Sequence, residues 1–368
     1  MITLYSLYPP LAPLGETRGA KVGVSGRVGR DRTPHGSVCF ITENESHPPV
    51  DLGRWLWNHT GMKLDLKGDW YIERLSGDEI HGHRVKRRLA KVKTKFQTAE
   101  VLDTRDYGRC LFMDGLVQST QADEFIYHES LVHPGLMLHP RPEAVFLAGG
   151  GEGAPLREIL KHPSVKKIVM AEIDRKVVDL SRKFLRPWHE DAFRDPRLRL
   201  LFEDARAHLE KNSARYDVLI LDLCDPGEGG PARKLFTVEF YRLLRSRLTP
   251  NGLAVIQAGS SNFNMLKGFS GVYQSLRHVF GQVLPYQVCV PAYVGPWAFF
   301  LARRVRSLDF QDRKLLARRF KARRLAGRLG FYDPDVHGAI FTLPPYFRRL
   351  LRHGRTISDK SPLRLLRK

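Results

Sequence analysis

The chain has 368 residues, a formal net charge of +21, and 42% hydrophobic and 27% charged residues. Those fractions are ordinary for a globular protein and exclude wholesale disorder, and the length allows a large core in two domains plus extensions. The sequence lacks a run of about 18 apolar residues, so no membrane span is expected. Cys39, Cys110, Cys224 and Cys289 show neither CxxC nor metal-ligand spacing, which predicts a reducing, cytoplasmic setting with no disulfide framework and no structural zinc.

Residues 1–68 are rich in Gly, Pro, Ser and Arg with little periodicity and read as a poorly ordered extension. Its early arginines leave a transit peptide open, and Met62, just before the first structured-looking segment, leaves a later start open. Residues 69–138 alternate short β-like pieces with turns and end in a helix. Asp106-Tyr107-Gly108 and Met113-Asp114-Gly115 have the composition of hairpin turns, so a small antiparallel β-domain is predicted. The segment 122–138 has helical spacing, with Pro134 expected to break or kink it.

From Ala144 the pattern alternates strands and helices, which predicts a parallel, doubly wound sheet over 139–308. Candidate strands are 145–148, 167–171, 198–202, 218–221, 253–257, 284–290 and 297–302. Candidate helices are 155–161, 176–184, 205–211, 237–248 and 265–280. Residues 309–368 read as a basic extension, an Arg-rich helix followed by a Pro-punctuated segment. Arg303–Lys368 carries 19 Lys/Arg against 5 Asp/Glu, so most of the excess charge belongs to this tail. Without interleaved aromatics or a nucleic-acid motif, it predicts a solvated surface with weak electrostatic attraction for polyanions rather than dedicated binding. On that reading the tail is dispensable for catalysis.

Gly149-Gly150-Gly151-Glu152-Gly153 follows the first strand of the sheet and opens a helix, where glycines such as Gly149 and Gly151 permit a tight turn and a close ligand approach. Glu172 closes the second strand about 20 residues on, the position of a ribose-binding acid. Asp204 closes the third, where a carboxylate can accept from an adenine amino group. A nucleoside site follows. Glu152 would repel a pyrophosphate or the carboxylate of S-adenosylmethionine. It would attract the terminal ammonium of decarboxylated S-adenosylmethionine, although an acid at a helix start also serves the dipole alone.

Asp222 and Asp225 end the apolar strand Val218–Leu221, and Pro226 with the glycines after it prevents a helix there. An aliphatic amine has a pKa near 10 and must lose a proton before it can attack. Asp222 is the candidate proton acceptor and Asp225 a holder for a second amine, with turn-capping as the bland alternative. Gln97, Gln118, Tyr127 and His128 could form a polar wall opposite the sheet. Asp123, Glu124 and Glu129 add negative charge there, which a solvated helix face explains equally well.

At these residues the chain resembles the spermidine/spermine synthase family of aminopropyltransferases, from about Trp70 to Ala302. The strings that carry the likeness are DGLVQSTQADEFIYHE, GGGEGAPLRE, AEIDRKVVD and DLCDPGEGGPARKLFTVEFY. The resemblance implies a small β-domain before a Rossmann-like domain, commonly in a dimer, with no prosthetic group and no metal. It implies that Gln97, Gln118, Glu152, Glu172 and Asp204 bind decarboxylated S-adenosylmethionine. Tyr127, Asp222, Asp225 and Tyr293 would line the amine groove, with Asp222 as proton acceptor. GGGEGA, Tyr127-His128-Glu129 and DLCDP depart from the usual spermidine synthase strings and look like plant-type thermospermine synthases, which implies spermidine as acceptor. Putrescine is the alternative acceptor, and a methyltransferase using S-adenosylmethionine the rival activity.

Overall fold

The computed structural model describes residues 67–362, apart from Asp78, 225–230, 263–265 and 305–308. The expected N-terminal extension and Asp225 thus fall outside the described residues, Lys67 and Gly68 excepted. Five strands, β1 (Trp70–Arg74), β2 (Ile80–Lys93), β3 (Thr98–Thr104), β4 (Arg109–Met113) and β5 (Leu116–Thr120), form an antiparallel sheet in the order β1-β2-β3-β4-β5. β4 and β5 are joined by Asp114 and Gly115 at φ 48° and 89°, the two left-handed residues that a tight hairpin needs. Alternation gives the sheet two apolar faces: Leu102 and Cys110 pack with Tyr71 and Phe112, while Val101 and Leu111 pack on Leu180 and Trp188. A Glu73 carboxylate oxygen accepts the Val117 N–H, which ties β1 to β5.

Helix α1 (Glu124–Leu138) follows and contains Pro134, yet remains a helix to Leu138. The proline removes the N–H that would serve the carbonyl of Ser130, four residues back. The Tyr286 hydroxyl takes that role, donating to the Ser130 carbonyl at 2.9 Å. The expected break is averted by a tertiary donor.

The second sheet comprises β6 (Ala144–Gly149), β7 (Lys167–Ala171), β8 (Leu198–Leu201), β9 (Tyr216–Asp222), β10 (Leu248–Ser260), β11 (Gln282–Val290) and β12 (Gly295–Arg303), in the order β11-β12-β10-β9-β6-β7-β8. Strands β10, β9, β6, β7 and β8 are parallel, whereas β11 and β12 form an antiparallel edge. Between β6 and β9 the winding reverses, the place where such sheets open a ligand crevice. Side chains alternate between two cores: Phe146, Leu219 and Leu221 enter one, and Val145, Leu147, Val218 and Ile220 the other. The intervening helices are α2 (Ala154–Leu160), α3 (Arg175–Phe184), α4 (Arg186–His189), α5 (Ala205–Lys211), α6 (Val238–Ser246) and α7 (Leu266–Val279).

The tail departs from the reading of a dispensable surface. Its helices α8 (Arg313–Ala322), α9 (Pro334–Ile340) and α10 (Pro345–Leu350) and the segments around them bury Leu316, Leu325, Tyr332 and Phe341 in one core and Phe347, Leu351 and Ile357 in the other. Arg319 and Arg323 donate to the carbonyls of Leu136, Met137, Leu138, His139 and Pro140. The first four are carbonyls of the last turn and cap of α1, which the helix end leaves without helical partners. Glu129, expected on a solvated face, is buried and accepts the N–H groups of Gly330, Phe331 and Tyr332 at 2.7–2.9 Å.

Burying each large apolar side chain is worth about 1.5–3 kcal/mol, so the tail's contribution is comparable with the net stability of a domain. A chain ending at Arg303 is expected to be insoluble or to lose its cooperative thermal transition. Circular dichroism and soluble yield measure this, and a truncated chain melting like the full one would contradict it.

Candidate active site

Strand pairing sets the site. Gly149 and Asp222 are register partners at the ends of β6 and β9. Gly149 has φ 81°, and a Cβ on it would stand 2.0 Å from the Asp222 carbonyl oxygen. Only glycine lets the first loop cross so close to the strand that delivers Asp222. Gly151 brings the same loop against Glu172, where an added Cβ would lie 3.1 Å from Oε2. The glycine loop therefore touches both carboxylate-bearing strand ends.

Around Asp222 the two sheets contribute together. The Tyr127 hydroxyl donates to Asp222 Oδ1 at 2.6 Å. His128 Nε2 meets Glu152 Oε1 at 2.5 Å, and its Nδ1 meets Glu124 Oε2 at 2.7 Å. Ser119 donates to the other Glu152 oxygen, and is itself held by the Trp188 indole N–H at 3.0 Å. His128, Glu152 and Asp222 place one ligand-type atom each within 4.8 Å of one another. The Tyr293 hydroxyl donates to the Gln118 carbonyl, and its ring packs edge-on to Tyr127 with centroids 5.9 Å apart.

The charges are ordered by these contacts. Burial works against a charged His128, but Glu152 and Glu124 on either side outweigh it and hold the imidazole up at about 10. Both ring nitrogens then carry protons and donate to the two carboxylates. Glu124 is in turn held by Arg157 at 2.9 and 3.1 Å, and Arg157 Nε donates to Glu158 at 2.7 Å. Burial opposes the Glu124 charge, yet His128 and Arg157 keep its carboxyl below the usual range. Desolvation pushes Asp222 up to about 6, with His128 pulling against it and Glu152 adding to it. Desolvation likewise lifts Glu172 to about 7, with the Asp174 and Asp222 charges adding to it against the Asp174 N–H bond.

The remaining sequence candidates are spread around this centre. Gln97 Nε2 lies 3.4 Å from Asp174 Oδ2, and Cys224 Sγ lies 3.6 Å from Gln97 Oε1, so Gln97 bridges the second strand end and the Asp222 loop. The Gln118 side chain bonds back to the carbonyls of its own strand. Asp204 Oδ1 caps α5 through the Ala207 N–H at 2.8 Å. Asp123 is no solvated acid either: it is buried, accepting from the Thr120 hydroxyl and the Ala292 N–H at 2.7 Å each. Sequence reasoning missed Ser119, Trp188, Arg157 and the buried Gln257, whose side-chain amide donates to the Leu223 carbonyl behind Asp222. Of these, only Ser119 stood beside a residue already singled out.

A buried cation set between carboxylates, at the reversal point of a Rossmann-like sheet and roofed by a β-domain, is a specific combination. The family model for the spermine/spermidine synthase domain matches residues 124–312, and that for the spermidine synthase tetramerisation domain matches 69–121. The chain belongs to the spermine/spermidine synthase family. It is 38% identical over 292 residues to a polyamine aminopropyltransferase of Sulfurisphaera tokodaii, covering 79% of this chain and 96% of that one. It is 41% identical over 235 residues to a thermospermine synthase of Arabidopsis thaliana, covering 63% and 69%. A solved spermidine synthase from Thermotoga maritima superposes with a TM-score of 0.70 at 29% identity, covering 78% of this chain and 95% of that one. A spermidine synthase in complex with the transition-state analogue AdoDATO gives 0.71 at 29%, covering 79% and 99%. This family member is accordingly an aminopropyltransferase with decarboxylated S-adenosylmethionine as co-substrate, and the methyltransferase alternative falls.

The close approach of Gly149 to β9 is testable. Gly149→Ala is expected to destabilise the fold by about 2 kcal/mol or more, combining a left-handed φ with a backbone clash, and to abolish turnover. Urea unfolding and a turnover assay measure the two losses; a variant with wild-type stability would refute the contact.

Proposed function

We propose that this aminopropyltransferase extends spermidine, giving thermospermine or spermine with release of 5′-methylthioadenosine. Asp222 takes the proton that the attacking amine must lose. The nitrogen lone pair forms a bond to the methylene carbon beside the sulfonium, and the carbon–sulfur bond breaks with its electrons to sulfur. The amine proton passes to a carboxylate. No electron acceptor is needed, and alignment with one proton transfer supplies the catalysis.

The observation that carries this reading is Asp222 at the end of β9, fixed by the Tyr127 hydroxyl at 2.6 Å beside Glu152 and His128, where desolvation raises its carboxyl to about 6. A carboxylate of ordinary acidity is a poor base, and raising its pKa toward neutrality improves it. Glu152, oriented by Ser119 and His128, is the counter-charge for the donor's ammonium. Glu172 takes the ribose hydroxyls, and Oδ2 of Asp204 the adenine amino group. Gly149 and Gly151 admit the nucleoside backbone-close, and Gln97 and the Gln118 strand edge hold its aminopropyl side. Tyr127, His128 and Tyr293 border the amine, and Asp225, outside the described residues, is the sequence candidate for its second nitrogen. Three strings shared with thermospermine synthases and the 41% identity to one of them support spermidine over putrescine. The β-domain (69–138) covers the cleft of the Rossmann-like domain (139–308), and the tetramerisation-domain match supports assembly with copies of the chain, a dimer at least. The described cysteines form no disulfide, in keeping with a cytoplasmic enzyme.

Asp222→Asn is expected to lower kcat by roughly 100-fold or more, the usual scale for a lost general base, while methylthioadenosine still binds. The base form exists above its pKa, so log kcat/KM should fall as pH drops below about 6. Stopped-time product analysis over pH 5–9, with putrescine and spermidine competing, reads both the limb and the acceptor. Unchanged turnover in Asp222→Asn would remove it from the mechanism, and a putrescine-derived product in excess would reassign the acceptor.

Glu152→Gln is expected to weaken decarboxylated S-adenosylmethionine at least tenfold more than methylthioadenosine, because only the former carries the ammonium. Calorimetric titration of both ligands measures the difference, and equal losses would leave Glu152 a loop-shaping residue.

A further inference from the structure

Far along the β-domain from Asp222 in sequence, a second set of ionisable side chains has no part in the chemistry above. Glu73 lies on β1, directly opposite His81 on β2, and His83 follows two residues later. Residues two apart on a strand share a face, so both imidazoles point to the side on which Glu73 stands. His83 Nε2 is 2.5 Å from Glu73 Oε1 and His81 Nδ1 is 3.2 Å from the same oxygen. The three donor atoms lie within 4.8 Å of one another. Glu73 and His83 are almost wholly buried, whereas the His81 side chain retains 20% exposure.

A simple ion pair does not account for this cluster. One proton shared between Glu73 Oε1 and His83 Nε2 matches those two atoms and leaves the second imidazole out. His81 Nδ1 is buried and turned toward the same oxygen at 3.2 Å, without the alignment of a full hydrogen bond. Leaving a buried polar atom unmatched is costly. A divalent cation accepts all three lone pairs at once. Two imidazoles and one carboxylate are also a zinc donor set, with bonds of about 2.0–2.2 Å.

We propose that Glu73, His81 and His83 bind a zinc-class divalent cation that closes the seam of the β-domain, with solvent completing the coordination on the exposed side of His81. Bonds of that length place tetrahedral ligand atoms about 3.3 Å apart. The Glu73–His81 spacing already matches, and His83 must withdraw by somewhat under 1 Å. The second oxygen of Glu73 accepts the Val117 N–H, so the ion would clip the β1–β2 hairpin to β5. Gln118, whose carbonyl holds the Tyr293 hydroxyl, is the next residue. The site is thus structural, one strand position from the cleft wall. The lack of cysteine spacing does not bear on it, because its ligands are a His-x-His pair and a cross-strand acid.

The full chain, dialysed against chelator and returned to zinc chloride, tests the proposal. We expect one equivalent retained by elemental analysis, a melting temperature several degrees above the metal-free chain, and a visible d–d absorption band with cobalt in place of zinc. His81→Asn, altered at the partly exposed ligand so that folding is preserved, should weaken zinc affinity by about 100-fold or more and erase the cobalt band. Zinc binding unchanged in His81→Asn, or a wild-type chain whose melting temperature and cobalt spectrum show no bound metal, would overturn the site. Because the readouts are stoichiometry, melting and absorption, failure here is separable from failure of the proposed acceptor or of Asp222.

Discussion

Carboxylates taken out of water must be matched by cations or hydrogen-bond donors, and that constraint shapes everything around the cleft. Glu152, Glu124 and Glu158 would each be costly to bury alone. They are instead interleaved with His128, Arg157 and Lys161, so that negative and positive groups alternate from the cleft into the interior. Such a series favours one arrangement of charge, since moving an interior member exposes two unmatched neighbours. Two acids stand apart from it. Asp222 and Glu172, lifted to about 6 and 7, are the members of the cleft for which the protein itself supplies too little positive charge. On the function proposed above, a cationic substrate and hydroxyl donors would complete what the chain leaves undone.

On the proposed function, the same principle would let carboxylates alone select a polycation. Each ammonium brought into the cleft must find an anion, and each anion already has a defined orientation. Tyr127 fixes Asp222, Ser119 and His128 fix Glu152, and the Asp174 N–H fixes Glu172. Orientation established before binding is orientation that the substrate need not supply.

The parallel sheet was legible because its strands are short apolar runs closed by glycine or acid, and each predicted strand lies within or beside the observed one. Gly149, Glu152, Glu172 and Asp222 were legible because strand ends are where such sheets bind ligands. Three features were not, each for a long-range reason. Glu129 and Asp123 read as solvated acids because their donors, the N–H groups of Gly330–Tyr332 and Ala292, lie 169 to 203 residues away. Pro134 read as a break because nothing local reveals the Tyr286 hydroxyl. The tail read as dispensable because counting charge treats arginine as seeking acids. Arg319 and Arg323 serve carbonyl groups instead, and Leu316 and Leu325 on either side of them are buried.

The tie between Glu129 and Gly330 has a consequence for how the protein is made. The helix bearing Tyr127 and His128 leaves the ribosome some 200 residues before the segment that satisfies its buried acid and its last carbonyls. At typical synthesis rates that interval is about 10–40 s. Throughout it the nascent chain lacks the N–H groups that match Glu129 and the arginines that serve the last carbonyls of this helix. The surroundings of Tyr127 and His128 are therefore among the last parts of the molecule to mature, although the helix that carries them emerges early.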